Sequence, residues 1–534
     1  MSGHETHKTF ATAAKRFRER AGNVLSTAAW ASENIQRRRQ QFVQIFAREN
    51  EVRFFLEGSR NLGHQAATLE LIRGFIGWTK YEGRIVVYFA DYHVDPLRTT
   101  TQKLRLLLSV DDDVSLEEYV WNIGRAQTIF RDVNRRPSSE RPVSFGFSGG
   151  ADDMDTDFIG LLRVRWFLRV QPYMWEANSH EKDHRFYQCS RIDYKDGRHF
   201  YLPDECPNFR ELPIHSAPEP SASQRTVQDA STDIVGSLPL LERPLVWPMY
   251  CLHNFTAVAP DLLLKLVLLA QQFARATQRK IVLLSFCPTG GDPDCVQYAR
   301  LLDREVCPRG DMVAELYRLL RRRSTMGASQ CLRLSRSVHR LAGSDCRVEI
   351  CHCNPGIAQR CTCRHLDGTG PSVVYCHPGP VRQDSYRSFL LSSDLPPLIE
   401  GQNTANDLVI SGKPHVQLFR QRRIISVGYP RPHWHQNETE ALPLLDALSA
   451  DLVRSFEEEE AIEGDSGRGL EAALEASYAT LLQFLDPKSP VSRYFSGLCE
   501  YYSCSGRDKL YICLLALCAL LEHDGRQAFS TPDG

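Results

Sequence analysis

The chain has 534 residues, of which 42% are apolar and 24% charged, with a formal net charge of −1 and 17 cysteines. It is folded by composition and too long for one core, so about two to four domains are expected. The neutral balance argues against general nucleic-acid binding, and 17 cysteines spread along a long chain are unlike a small disulfide scaffold.

Residues 1–50 are polar and helix-favouring, with nine Lys/Arg against four Asp/Glu. They are expected to form a basic helical extension, either a solvated cap on the first domain or a contact for nucleic acid or membrane. No signal-peptide pattern opens the sequence, and the longest apolar runs, 262–270 and 510–521, are far shorter than a bilayer span. A soluble, cytoplasmic protein without a membrane span is therefore expected.

From residue 51 the pattern becomes β-loop-α-β. Strands are expected at 52–56 and 84–90, separated by a Gly-containing loop (58–65) and a helix (66–78). Further strands are expected at 103–110, 142–147 and 164–173, with a helix over 116–134. Strands alternating with helices predict a mainly parallel sheet, so an α/β domain is placed at 51–212.

Residues 213–245 are rich in Ser, Pro, Ala, Asp and Gln and read as a linker or long loop. A second α/β domain is expected over 246–455. It would hold a helix at 260–277, a strand at 280–286 and a basic amphipathic helix at 311–323. A strand at 373–377, a helix at 383–392 and a strand at 415–419 would follow. The run 457–460 is acidic, and residues 456–534 read as a helical C-terminal segment.

Four segments could carry chemistry. The loop before the first helix (Gly58, Arg60, Asn61, Gly63, His64) combines glycines with a helix N-terminus, where backbone N–H groups favour an anion. It lacks the G-x-G-x-x-G dinucleotide spacing. His64 could act as a general base there, or it could be a structural histidine in a tight turn. A second loop carries Asp152 and Asp153 just beyond an apolar strand, where carboxylates could bind a cation, take a proton or simply be solvated.

Thirdly, Cys351, Cys353, Cys361 and Cys363 have paired C-x-C spacing within a Cys/His-rich insertion at 346–377. They suit a structural zinc, or else they are thiols in a hairpin insertion. The fourth segment joins Gln383 to the polar turn Glu400, Gln402, Asn403, Thr404 and Asn406, which lies between two apolar elements. Such a turn offers free N–H groups at a helix start and side chains able to bond a ribose or a sugar.

The segments VRFFLEGSRNLGHQAATLELIRGF and SDLPPLIEGQNTANDLVISGKPHVQL together resemble the GT-B glycosyltransferases. Their strongest echo is of the bacterial protein-arginine rhamnosyltransferases. The match runs through Gln383–Tyr386, Leu390-Leu391, Ser393-Asp394, the turn 400–404 and Ser411–Pro414. This chain has Gln402 and Asn403 where that family has acids, and Arg60-Asn61 where its first loop has aspartates.

The resemblance implies two Rossmann-like domains facing a cleft, with helical N- and C-terminal extensions. It also implies a nucleoside-diphosphate sugar as donor substrate, held by Gln383, Glu400, Gln402, Asn403, Thr404 and Asn406, and no catalytic metal. The acceptor, a protein or small molecule, would lie against Gly58, Arg60, Asn61 and Gly63, with His64, Asp152 or Asp153 removing its proton. A sugar-nucleotide epimerase of the same fold is one alternative. Another is a non-catalytic scaffold that binds protein or nucleic acid through the basic N-terminal helix and the Cys/His insertion.

Overall fold

The structure, a computed structural model, describes residues 32–56, 63–90, 99–111, 113–135, 140–149, 158–170, 187–191, 214–215, 244–250, 259–286, 312–323, 325–342, 345–351, 370–376, 383–418, 429, 438–456, 470–503 and 507–528. The chain is α/β throughout and divides into two units. One comprises residues 1–218, 430–432 and 500–534, the other 219–429 and 433–499.

The first unit opens with α1 (Ser32–Phe46), β1 (Glu51–Leu56), α2 (Gly63–Thr79), β2 (Arg84–Phe89) and α3 (Thr100–Leu108). It continues with β3 (Val120–Ile123), β4 (Ala126–Asp132), β5 (Val143–Ser148), α4 (Phe158–Leu162), β6 (Val164–Val170) and β7 (Tyr187–Arg191). The sheet order is β3-β4-β2-β1-β5-β6-β7. The five central strands run parallel, while β3 and β7 pair antiparallel at the two edges.

Strands β1 and β2 are buried along almost their whole length because both faces are covered, as in parallel sheets. One face is an aromatic core. Phe54 stacks on Phe147 at 5.2 Å, Phe75 of α2 lies 5.1 Å from Phe147, and Phe46 of α1 meets Phe75 edge-on at 4.9 Å. Each such ring pair contributes about 0.5–1.5 kcal/mol beyond the area it buries.

Arg53 is almost wholly buried near the start of β1, and its guanidinium is fully engaged. It donates to Leu162 O at 2.6 Å, to Arg141 O at 2.8 Å and to Glu51 Oε1 at 2.8 Å. The Tyr88 hydroxyl donates to Glu140 beside it, and burial pushes that phenol well above its ordinary range. This network ties the loops at the N-terminal end of the strands, away from the ends where open α/β sheets bind ligands.

Two expectations for this unit are corrected. Residues 103–110, expected as a strand, lie largely in the helix α3. Thr99 and Gln102 form a reciprocal capping box, and Leu104 and Leu107 are buried at helical spacing. Residues 116–134, expected as a helix, contain the antiparallel pair β3–β4. Gly124 takes φ 59° in the two-residue turn between these strands, a conformation that suits a hairpin and ends any helix.

The second unit contains β8 (Leu245–Tyr250), α5 (Ala259–Thr277), β9 (Ile281–Phe286), α6 (Met312–Arg323), α7 (Ala328–Ala342), β10 (Arg347–Cys351) and β11 (Ser372–Cys376). After these come α8 (Gln383–Ser392), β12 (Leu398–Ile399), α9 (Gln402–Ser411), β13 (Val416–Gln417), α10 (Glu438–Val453), α11 (Leu470–Gln483) and α12 (Pro490–Ser503), whose last four residues fall to the first unit. Its sheet is wholly parallel, in the order β10-β11-β9-β8-β12-β13. β10 and β11, which flank the Cys/His-rich stretch, pair in parallel, and residues 352–369 between them lie outside the described residues.

α5 fills the space above this sheet with an almost unbroken buried face from Leu262 to Ala274. Its one buried cation, Lys265, donates to the carbonyls of Asp451 (2.5 Å) and Arg454 (2.8 Å). The ammonium thus satisfies orphan carbonyls at the C-terminus of α10 and complements the negative end of that helix.

The last helix, α13 (Lys509–Ala528), belongs to the first unit. The buried Asp508 starts it by accepting from the N–H of Leu510 at 2.8 Å and, on its other oxygen, from Trp78 Nε1 of α2 at 2.6 Å. Gly74 of α2 leaves room for the passing backbone, since a Cβ there would lie 2.8 Å from His215 O.

Candidate functional site

In an open α/β sheet, ligands bind beyond the C-terminal strand ends where the strand order reverses. In the second unit β8 has β9 on one side and β12 on the other, so the reversal falls between β8 and β12. The chain leaving β12 passes through Glu400 and Gly401 directly into α9. The polar turn singled out in the sequence therefore lies at this switch point.

Gly401 sits at φ 114°, ψ 136°, where side-chain-bearing residues are strained, and it begins α9 with no side-chain cap. The first N–H groups of a helix have no partner within it, so this ten-residue helix presents donors and the positive end of its dipole at the switch point. Among the described residues a Cβ on Gly401 would meet only Tyr250, at 3.8 Å.

Aromatic side chains flank the turn. Tyr250 and Phe286 are the paired last residues of β8 and β9. Tyr386 of α8 packs against both, with ring centroids at 5.3 Å in each case. Its hydroxyl reaches Thr404 Oγ1 at 3.1 Å, and Arg387 pairs with Asp407 at 3.1 Å, so two contacts fix α8 against the first turns of α9.

Thr404 and Asn406 are buried, and Asn403 Oδ1 is buried with no hydrogen-bond partner among the described residues. A buried polar atom left unpaired costs about 1–3 kcal/mol, a penalty that a ligand donor would relieve. Gln383, the first residue of α8, is also buried, and Glu400 precedes the turn. The structure thus gathers Glu400, Gln402, Asn403, Thr404 and Asn406 on one turn, with Gln383 on the helix whose Tyr386 bonds to that turn.

Other residues of the resemblance serve the opposite end of the sheet. Asp394 Oδ2 accepts from Val246 N at 3.0 Å, and Lys413 Nζ donates to Ser393 O at 2.7 Å. Burial lowers the Lys413 pKa, while the nearby Asp394 opposes that shift. These are struts that hold β12 and β13 beside β8. Gly412, at φ 61°, ends α9 where a Cβ would lie 2.3 Å from Cys499 Cβ, so the glycine permits α12 to pack there.

In the first unit the reversal lies between β1 and β5. Gly63 and His64 open α2 at that point; no described residue comes within 4 Å of the Gly63 Cβ position, and His64 is half-buried. Gly58, Arg60, Asn61, Asp152 and Asp153 lie outside the described residues, as do Cys353, Cys361 and Cys363. Cys351 closes β10, with its backbone in register with Cys376 of β11. Among the described residues no group of three or more His, Cys, Asp or Glu could hold one metal ion, and no helix is long and apolar enough to cross a membrane.

Sequence reasoning missed Tyr250 and Phe286 as site residues and quoted Tyr386 only as part of a motif. Their signal was position, as last residues of central strands or on the helix facing them. In comparison with known proteins, no family model matches the chain, and no curated protein matches it.

Proposed function

We propose that this chain is a glycosyltransferase of GT-B type, with the β12–α9 turn as its nucleoside-diphosphate-sugar site. The observation that carries the reading is the pairing of opposite hydrogen-bonding roles on one turn. The uncapped N-terminus of α9 offers N–H donors suited to a diphosphate, while Asn403 Oδ1 is a buried acceptor without a partner among the described residues. A free anion has no use for that acceptor. A ribose hydroxyl or a base N–H does, and Tyr250 and Tyr386 add aromatic surface beside the turn, at Gly401 and Thr404.

In this reading an acceptor nucleophile attacks the anomeric carbon as the bond from that carbon to the diphosphate oxygen breaks. The electron pair leaves with the diphosphate, and the N–H groups and dipole of α9 stabilise the charge that develops there. The acceptor belongs to the first unit, against Gly58, Arg60, Asn61 and Gly63. His64, in the first turn of α2, or Asp152 or Asp153 takes its proton.

The test is a thermal-shift panel of UDP, GDP, TDP, CMP and their sugar conjugates against the full chain. Saturable stabilisation by one of these nucleotides names the base and supports the site. A folded protein that answers to none of them contradicts the reading and returns weight to a binding scaffold.

A further inference from the structure

The second unit carries a surface that the proposed site does not use. Between Met312 and Ala342 the sequence holds seven arginines and one acidic residue, Glu315, in a chain whose net charge is only −1. This segment forms α6 and α7. α7 has a clean division of faces: Leu334 and Val338 are buried at 2% exposure, while Leu332, Arg333, Arg336, His339 and Arg340 are exposed. At 100° per residue those five fall on one outward arc, and α7 contains no carboxylate.

Leu332 is 52% exposed, the largest value among the exposed large hydrophobic residues described, and it lies one turn from Arg336 on the same face. On the preceding helix Arg318 and Arg321 are also exposed. Arg340 pairs with Glu471 at 2.9 Å and so anchors the C-terminal end of the face to α11.

We propose that the outward face of α7 docks on an anionic phospholipid surface. Arginines alone suit any polyanion, including a nucleic acid. The exposed leucine set among them decides for the lipid interface, where an apolar side chain enters the acyl boundary while guanidinium groups stay at the headgroups. The attachment is peripheral and leaves the fold as it is. It is independent of the nucleotide reading.

The experiment is co-sedimentation of the full chain with phosphatidylcholine vesicles, with and without phosphatidylglycerol. Binding is expected only with phosphatidylglycerol, and raised salt should weaken it, since exposed charges are screened beyond about 8–10 Å. Arg336→Gln should lower the partition coefficient about fivefold, and Arg333→Gln with Arg336→Gln about thirtyfold, as each arginine near such a surface contributes comparably. Leu332→Ser should weaken vesicle binding further, with an unchanged melting temperature showing that the variants fold. The proposal is overturned if folded protein ignores phosphatidylglycerol, or if these variants bind vesicles as the parent does. It is equally overturned if an RNA oligonucleotide binds more tightly than the vesicles and Leu332→Ser makes no difference to either.

Discussion

The hydroxyl of Tyr386 lies 3.1 Å from Thr404 Oγ1, joining α8 to the first turn of α9 across the switch point of the second sheet. Because the tyrosine ring also packs on Tyr250 and Phe286, one side chain couples the ends of two strands to the turn proposed to hold the nucleotide. Tyr386→Phe and Thr404→Val each remove one partner of this bond. Each is expected to cost about 0.5–1.5 kcal/mol of nucleotide affinity, roughly a two- to twelvefold rise in Kd. The double variant should lose less than the sum, since the two act through one bond. Calorimetric titration of the four proteins checks this.

His415 gives the second unit a pH dependence. The ring is fully buried, its Nδ1–H donates to Lys413 O at 2.8 Å, and it packs against Tyr429 and Phe495. Burial depresses its pKa from 6.5 to about 4, with the Lys413 bond partly opposing the shift. The folded state therefore favours neutral imidazole, while the unfolded chain takes up a proton as pH falls through 6.5. Stability from this residue is complete above that value and is lost progressively toward pH 4, by about 3 kcal/mol in total. Urea midpoints at pH 7.5 and 4.5 should differ more for the parent than for His415→Phe.

Gly412 tests how tightly β13 is held. An added methyl would meet Cys499 Cβ at 2.3 Å in a left-handed backbone conformation. Gly412→Ala is expected to destabilise the second unit by about 1–3 kcal/mol or more, from overpacking and backbone strain together. Chemical denaturation followed by intrinsic fluorescence measures it.

Asp508 starts α13 and accepts from Trp78, 430 residues distant in sequence. Burial raises its pKa, while His215 and the bonds from Trp78, Leu510 and Tyr511 pull it back. Asp508→Ala removes the helix start and strands a buried indole N–H. A loss of about 2–4 kcal/mol in the first unit is expected, read from its denaturation midpoint.

The polar turn was legible because strand, turn and helix alternate with little ambiguity between Leu395 and Gly412, and an apolar strand that ends in amides and glycine is unusual. The strand beside it was not. β8 reads LVWPMY, and Pro248 lacks the N–H that an interior strand normally needs. It is tolerated because β12 is only two residues long and pairs with β8 at Met249 alone. Missing β8 as a strand hid Tyr250 as a site residue. The reading of 103–110 as a strand failed because a run of leucines and basic residues fits either element by hydrophobicity. The Thr99–Gln102 capping box was the deciding local signal.

The central claim is that the β12–α9 turn binds a nucleotide, and calorimetry of the full chain and of Asn403→Ala tests it most directly. The account predicts saturable binding of one nucleoside diphosphate by the parent. In the variant, Kd should rise about tenfold or more with the melting temperature of the free protein held, because among the described residues Asn403 Oδ1 has no partner to lose. Equal affinity in parent and folded variant would contradict it.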